Sequence, residues 1–591
     1  MAFRYRTEEG GEYIAHRPQV MGRNLMVATG HHLATQAALR ILDRGGNAID
    51  AGVTAGICLN VLQPDMTSFF GVAPIIVYLK KERRVITISG LGRWPRAASI
   101  EWFQKNCGGE IPVGVKRAVT PAAPDAWITA LDRYGTMSFA DVVTSAIDLA
   151  EHGAPMHHFM REHIKNQWDD YYRFESNRPI FFPDGDLIPI GGLIYQNDLA
   201  ETFRQMIRAE EKAKGQGRST GLRAARDEVY KGDIANKIVA FIQGEGGLMT
   251  LEDLADFHVK EEEPVSTMYR GHEVFSCGPW CQGPVVLATL NLLESRDLRS
   301  IGHNTPGYVH TTLSALNLSF ADRDRYYADP DFIQVPIKGL LSKAYAAERS
   351  KLLDRSEGFS EMAPFGDPWP YEGSGSPEQV GETVSIVPTP GGGEQPLQDT
   401  SYCTIVDPEG NAFSATPSDP SSDMPIVPGV GCTVSSRGAQ TWLDEGHPSA
   451  LAPWKRPRLT PNPAIVLKDG EFFMSFGSPG GDVQPQAMLQ VFLNVVDFGM
   501  LPQMAVEAPR FATYNFPNSF WPHEYKPGRT LIEERLLADI GGALRERGYM
   551  PEGWKDYFWR VGSVCCIVKD AKKGILLAGA DPRRESYAAG W

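Results

Sequence analysis

No apolar run in this 591-residue chain reaches the roughly 18 residues of a membrane-spanning helix. The longest, 51–62 and 72–79, have the length of core elements. Positive charge is in deficit: 58 Lys and Arg face 72 Asp and Glu, for a net charge of -14. Nucleic acid and anionic membranes both demand a basic face, so neither is expected as a partner. Cysteine is sparse and scattered. The eight residues are Cys58, Cys107, Cys277, Cys281, Cys403, Cys432, Cys565 and Cys566, and no pair has zinc-site spacing. Most lie in apolar surroundings, as buried thiols do in a reducing compartment. The pairs His31-His32 and His157-His158 are sequence neighbours, whose side chains point different ways, so no shared metal is expected. There is no dinucleotide-binding glycine loop followed by its acidic residue and no repeat of fixed period. Residues 1–20 are polar and carry no apolar signal segment. The expectation is a soluble, cytoplasmic protein without metal or cofactor.

The chain does have the 42% hydrophobic and 22% charged residues of an ordinary globular protein, at a length sufficient for more than one folding unit. A short strand at 25–29 leads to a helix over 34–42, stopped by Gly45-Gly46. Asn47 then caps a strongly apolar helix. Strands are predicted at 75–80 and 84–89, and helices dominate 120–300. Over 307–327, Val309, Leu313, Leu316 and Phe320 form one stripe of an amphipathic helix. Residues 354–399, rich in Gly, Pro and Ser, read as a flexible tether. After it come strands at 403–406 and, beyond a turn at 408–411, a partner strand. Helices are expected near 484–495 and 531–547.

Two features carry chemistry. Asp399-Thr400 sits behind the tether and opens a strand. Cutting that bond would give Thr400 a free α-amine beside its own hydroxyl, and the amine can serve as base for the weak nucleophile. Ser475-Phe-Gly-Ser-Pro-Gly-Gly-Asp482 runs from a strand into a helix. Its consecutive glycines let two backbone amides face a developing oxyanion. Taken alone, Asp-Thr is more often a loop end and Gly-Gly more often a plain turn or phosphate cradle.

Together with further motifs in order they carry a resemblance. These are Gly45-Gly-Asn-Ala-Ile-Asp-Ala51, Asp132-Arg-Tyr-Gly-Thr136, Tyr269-Arg-Gly-His-Glu-Val274 and Phe320-Ala-Asp-Arg-Asp-Arg-Tyr326. They continue with Asp329-Pro-Asp331, Lys455-Arg-Pro457, Ala508-Pro-Arg-Phe511 and Asp581-Pro-Arg583. The chain resembles the γ-glutamyltransferase superfamily of N-terminal-nucleophile hydrolases. The resemblance implies an α+β fold, a four-layer αββα sandwich formed jointly by a large subunit, 1–399, and a small catalytic subunit, 400–591. It implies self-cleavage at Asp399–Thr400, with Thr400 as nucleophile and Gly480 and Gly481 as oxyanion donors. Ser418 falls where the family has a second Thr bonded to the nucleophile, though a solvent-exposed loop serine is an equal reading.

The substrate-binding positions depart from the transpeptidases. Leu91 stands where they carry the Arg that holds a glutamyl carboxylate, with Arg93 close by. In Ser436-Arg-Gly-Ala-Gln-Thr-Trp442, Gln440 and Thr441 replace an acidic pair, and Leu459 and Thr460 replace two serines. Arg437 precedes Gly438 as in the amidohydrolase and cephalosporin-acylase-like branch. The expectation is an amide hydrolase acting on a small-molecule substrate, with Arg93 and Arg437 favouring a carboxylate or other polar anion; that either Arg is structural and pairs with an acidic residue of this acidic chain is an equal reading. The alternatives are a true γ-glutamyltransferase or glutathione hydrolase with a rebuilt pocket, and an unprocessed, non-catalytic relative. A homo-oligomer is compatible with the sequence.

Overall fold

In the computed structural model of the protein, residues 3–6, 12–373, 389–390 and 399–591 are described. Strand Met26–Thr29 shows how the layers arise. Met26 and Ala28 point to one side of the sheet and Val27 to the other, as the two-residue period of a strand requires. Both sides are apolar, so the sheet is covered on both faces. Ile75–Leu79 repeats the pattern, with Ile76 and Tyr78 on one side and Ile75 and Val77 on the other.

Two seven-stranded antiparallel sheets result. The first runs, in spatial order, Tyr587–Gly590, Met26–Thr29, Cys403–Val406, Ala412–Ala415, Ile75–Leu79, Arg84–Ile88 and Glu261–Glu262. The second runs Val265–Tyr269, His272–Ser276, Ala464–Lys468, Glu471–Gly477, Cys565–Asp570, Ile575–Ala580 and Val20–Gly22. They face each other across a core that includes Tyr78, Tyr402, Ile465, Phe472 and Ile567. Thr404 and Ser475 join them through a hydroxyl–hydroxyl bond of 2.6 Å. Helices close both outer faces. His32–Asp43, Ala48–Leu62 and Ala123–Tyr134 pack on the first sheet, and Pro284–Leu293, Pro306–Tyr326 and Gln484–Val496 on the second. This is the αββα sandwich that the resemblance implied.

The Asn47 side chain caps Ala48–Leu62, accepting from the amides of Ile49 and Asp50. Three expectations need correction. Pro306–Tyr326 is not amphipathic: the predicted stripe is buried, and so are Asp322, Arg323 and Asp324 on its other faces, where ion pairs offset their desolvation. Arg529–Glu533 is a strand between Phe511–Thr513 and Met550–Trp554, and the helix starts only at Glu534. The expected tether is packed in its first part. Phe359, Ala363 and Trp369 are buried, and Asn515 Nδ2 donates to the carbonyls of Phe359 and Glu361, so side chains satisfy an extended backbone. Residues 374–388 and 391–398 of that tether lie outside the described residues.

All eight cysteines are free thiols, seven of them buried. The rings of His31, His32 and His157 do meet, with centroids 4.5 and 5.3 Å from that of His31. His31 and His157 each cap a helix by accepting a backbone amide at Nδ1, which fixes the rings without a metal. Among the described residues no group of three or more His, Cys, Asp or Glu is disposed to hold a metal ion, and no helix is long and apolar enough to cross a membrane.

Each sheet is built from strands on both sides of position 399, with strands from after it lying between strands from before it. A chain cut between Asp399 and Thr400 is therefore expected to give two bands on a denaturing gel but a single peak in native gel filtration. Separation of the fragments without denaturant would contradict the interleaved topology.

Candidate active site

Thr400 stands at the head of Cys403–Val406, in the middle of the first sheet, and only 1% of its surface is exposed. Its hydroxyl lies 2.8 Å from Ser418 Oγ, and Ser418 donates to the Asp399 carbonyl oxygen at 2.8 Å. Thr400 and Ser418 are also bridged through their backbones. Ser418 is thus buried beside Thr400 rather than on an exposed loop. The Arg437 guanidinium donates to Ser418 Oγ through Nη2. With both lone pairs of Ser418 taken by Arg437 and Thr400, its proton is directed at the Asp399 carbonyl. On the other side, Asp399 Oδ1 accepts the Thr400 N–H at 2.8 Å, and Asp399 Oδ2 pairs with Arg584 Nη2 at 2.6 Å. The peptide between Asp399 and Thr400 is thus held from both ends.

Strand Glu471–Gly477 delivers the second element. The chain turns through Gly480 and Gly481, at φ 121° and 56°, a region that a Cβ makes costly. It then enters Gln484–Val496, whose first side chain lies 3.3 Å from Thr400 Oγ1. The turn so reaches Thr400, and Pro479 and Thr400 line one small cavity with Gly30, Met66 and Arg584. The turn is fastened from beneath. Asp482 pairs with Arg323 Nη1 and accepts from both the amide (2.8 Å) and the hydroxyl (2.6 Å) of Ser519. Gln282 accepts from Arg323 and donates to the carbonyls of Gly481 (2.8 Å) and Thr460 (3.0 Å).

The expected anion receptors are already occupied. Arg93 pairs with Asp331 at 2.5 Å and Asp329 at 3.5 Å and donates to the Trp454 carbonyl. It is a structural residue that ties the segment before Pro95 to the Asp329-Pro-Asp331 motif. Arg437 Nε pairs with Asp419 at 3.1 Å. Burial pushes the Asp419 carboxyl up, against the pull of Arg437. Both arginines found acids within a net-acidic chain, which sequence spacing does not reveal. Gln440 donates to Thr460 Oγ1 at 2.9 Å, and its own oxygen, Oε1, is buried without a partner. Thr441 accepts from the Trp94 indole at 2.9 Å. The loop that follows is braced by a stack in which the Trp442 ring lies 4.1 Å from His447 and 3.7 Å from His523. Burial pushes both imidazoles down to about 4, so they stay neutral at pH 7.

The family profile described as gamma-glutamyltranspeptidase matches residues 34–591. The chain belongs to the gamma-glutamyltranspeptidase family. It is 31% identical over 575 residues, 97% of its own length and 99% of the relative's, to the glutathione hydrolase-like YwrD proenzyme of Bacillus subtilis (strain 168). It is 30% identical over 552 residues to the acylase ACY 1 proenzyme of Pseudomonas sp. (strain SE83), covering 91% and 89% of the two chains. The crystal structure of cephalosporin acylase from Bacillus halodurans superimposes with a TM-score of 0.81 at 29% identity, covering 98% of each chain. The sandwich is therefore the N-terminal-nucleophile hydrolase fold of these relatives.

In this family member the sequence reading missed five residues at the centre: Asp419, Gln484, Asp482 with its Arg323, and Arg584. Asp482 follows the Gly-Gly turn and Arg323 lies inside a quoted motif, but only the fold joins them. Arg584 follows Asp581-Pro-Arg583 directly, and its partner is 185 positions away in sequence. Asp482→Asn keeps the side-chain shape but leaves Arg323 buried without its counter-charge. It is expected to destabilise the protein by about 3–5 kcal/mol, read as a fall in Tm, and to slow turnover as the glycine turn loosens. An unchanged Tm would show that the pair does not fasten the turn.

Proposed function

We propose that the chain is the proenzyme of an amide hydrolase that cuts itself between Asp399 and Thr400 and then uses Thr400 as its nucleophile. The observation that carries this reading is the hydroxyl relay, Thr400 to Ser418 to the Asp399 carbonyl, with 2.8 Å in each step. In maturation, Thr400 Oγ1 bonds to the Asp399 carbonyl carbon while its proton passes to Ser418, and the Ser418 proton passes to the carbonyl oxygen. The new hydroxyl on that carbon then gives its proton to the Thr400 nitrogen as the C–N bond breaks, leaving an ester and a free Thr400 amine. Water hydrolyses the ester. In turnover, Thr400 Oγ1 attacks a substrate amide and its amine takes the hydroxyl proton. The Gly480 and Gly481 amides hold the oxyanion, and the amine leaving group departs with the proton. The acyl-enzyme is released by water. N-terminal sequencing of the smaller fragment should read Thr-Ser-Tyr-Cys, and Thr400→Ala should stay uncut and inactive. Any other start removes Thr400 from this role.

The acyl group needs no α-ammonium. Gln440 and Thr441 carry no charge, and the Asp419 carboxylate is already paired with Arg437. Desolvating an ammonium there is not repaid. With Arg93 paired to Asp331, the anion preference expected of two free arginines is not part of this reading. A γ-glutamyl anilide and its des-amino analogue, glutaryl anilide, should be cleaved with kcat/KM values within about ten-fold. A γ-glutamyl preference of about 100-fold, worth roughly 2.7 kcal/mol, would instead favour a glutathione hydrolase with a rebuilt pocket.

A further inference from the structure

Arg584 lies behind Thr400, with 5% of its surface exposed. Its Nη2 pairs with Asp399 Oδ2 at 2.6 Å, and its Nη1 lies 3.5 Å from the Thr400 carbonyl oxygen and 3.3 Å from Met66 Sδ. The guanidinium rests against a pair of aromatic rings, with its carbon 5.2 Å from the Phe159 centroid and 5.5 Å from that of Trp559. The Asp399 carboxylate bridges the two groups, taking the Thr400 N–H on one oxygen and Arg584 on the other. The nitrogen that becomes the Thr400 amine is therefore one carboxylate away from a buried cation.

The other titratable groups around Thr400 are paired or neutral. Asp419 is held by Arg437, and Asp65, in the turn that contributes Met66, is held by His163 at 3.0 Å. Burial pushes the Cys565 thiol up to about 12 and the Tyr402 phenol well above its ordinary range. It pushes His31, beside Gly30, down to about 2. Asp419 and Asp65 are held by these partners, and none of the others carries a charge against the Thr400 nitrogen. Asp399 does so only while it stays. A substrate cannot reach the buried Thr400 hydroxyl until the Asp399 end, attached directly to the Thr400 nitrogen, has withdrawn.

We infer that Arg584 is a positioning residue with two successive partners: it holds Asp399 for self-cleavage, and once Asp399 has withdrawn it faces the new Thr400 amine and keeps that amine unprotonated, as a base must be. This deepens the proposed function and rests on Thr400 being the nucleophile. The physical basis is repulsion between like charges at short range, which disfavours the ammonium form. The same cation that stabilised a carboxylate before cleavage thereby sharpens a base after it.

The test is the pH dependence of kcat/KM for the cleaved protein, measured on an anilide substrate, after sequencing has shown that the small fragment begins at Thr400. A start elsewhere removes the Thr400 reading itself and this inference with it. With Thr400 established, the wild-type acid limb should lie about one pH unit or more below the 7.7–8.0 of an ordinary α-amine. Arg584→Lys should keep it there, and cleaved Arg584→Gln should move it up by about one unit. A merely structural role would lower the whole profile without shifting the limb. A wild-type limb at or above the ordinary range overturns the inference even if Arg584→Gln fails to cleave or fold. So does a shift-free profile in cleaved Arg584→Gln.

Discussion

The hairpin Cys403–Val406 and Ala412–Ala415 is hydrogen-bonded on both outer edges, to Met26–Thr29 on one side and Ile75–Leu79 on the other. Everything at the site depends on this insertion. A strand paired on both edges cannot shift register without turning its buried side chains to the wrong face, so the residue at its head has a fixed place. The strand also carries Thr404 across to Ser475 of the opposite sheet, which leads into the glycine turn. Thr400 and the glycine turn thus stand at the ends of two neighbouring, cross-linked strands.

Charge is used in the interior rather than excluded from it. Arg323 with Asp482, Arg456 with Asp329, Arg510 with Asp581 and Arg583 with Glu533 are all buried pairs. Each joins segments distant in sequence, and each leaves a costly orphan if one partner moves. Such pairs add little net stability, but they define which loops meet. The turn at Gly480-Gly481 is held this way from Pro306–Tyr326. That explains why a helix with Asp322, Arg323 and Asp324 near its C-terminal end is buried there as well.

Much of this was legible in sequence because it is local. The capped helix after Asn47 depends on a side chain two and three residues from its partners. The strand at 403–406 depends on alternation, and the Gly-Gly turn on backbone angles that other residues resist. The errors have local causes too. Leu531 and Ile532 suit a helix or a strand equally, and pairing with Phe511–Thr513 decided for the strand. Phe359 and Trp369 were outweighed by surrounding Pro and Gly, although apolar side chains can anchor an extended segment.

The order of motifs along the chain by itself determined the family, the sandwich, and Thr400, Gly480 and Gly481 as the candidate centre. Backbone conformation and burial follow from short-range chemistry, which a sequence displays. Which charges cancel was decided only by the tertiary structure. Arg93 and Arg437 look alike in sequence, yet one fastens a loop to Asp331 while the other touches the hydroxyl beside Thr400. Arg584 drew no notice there and lies against the bond that precedes Thr400. Electrostatic pairing falls off with distance in space and is indifferent to distance along the chain, so only the folded molecule could assign the partners.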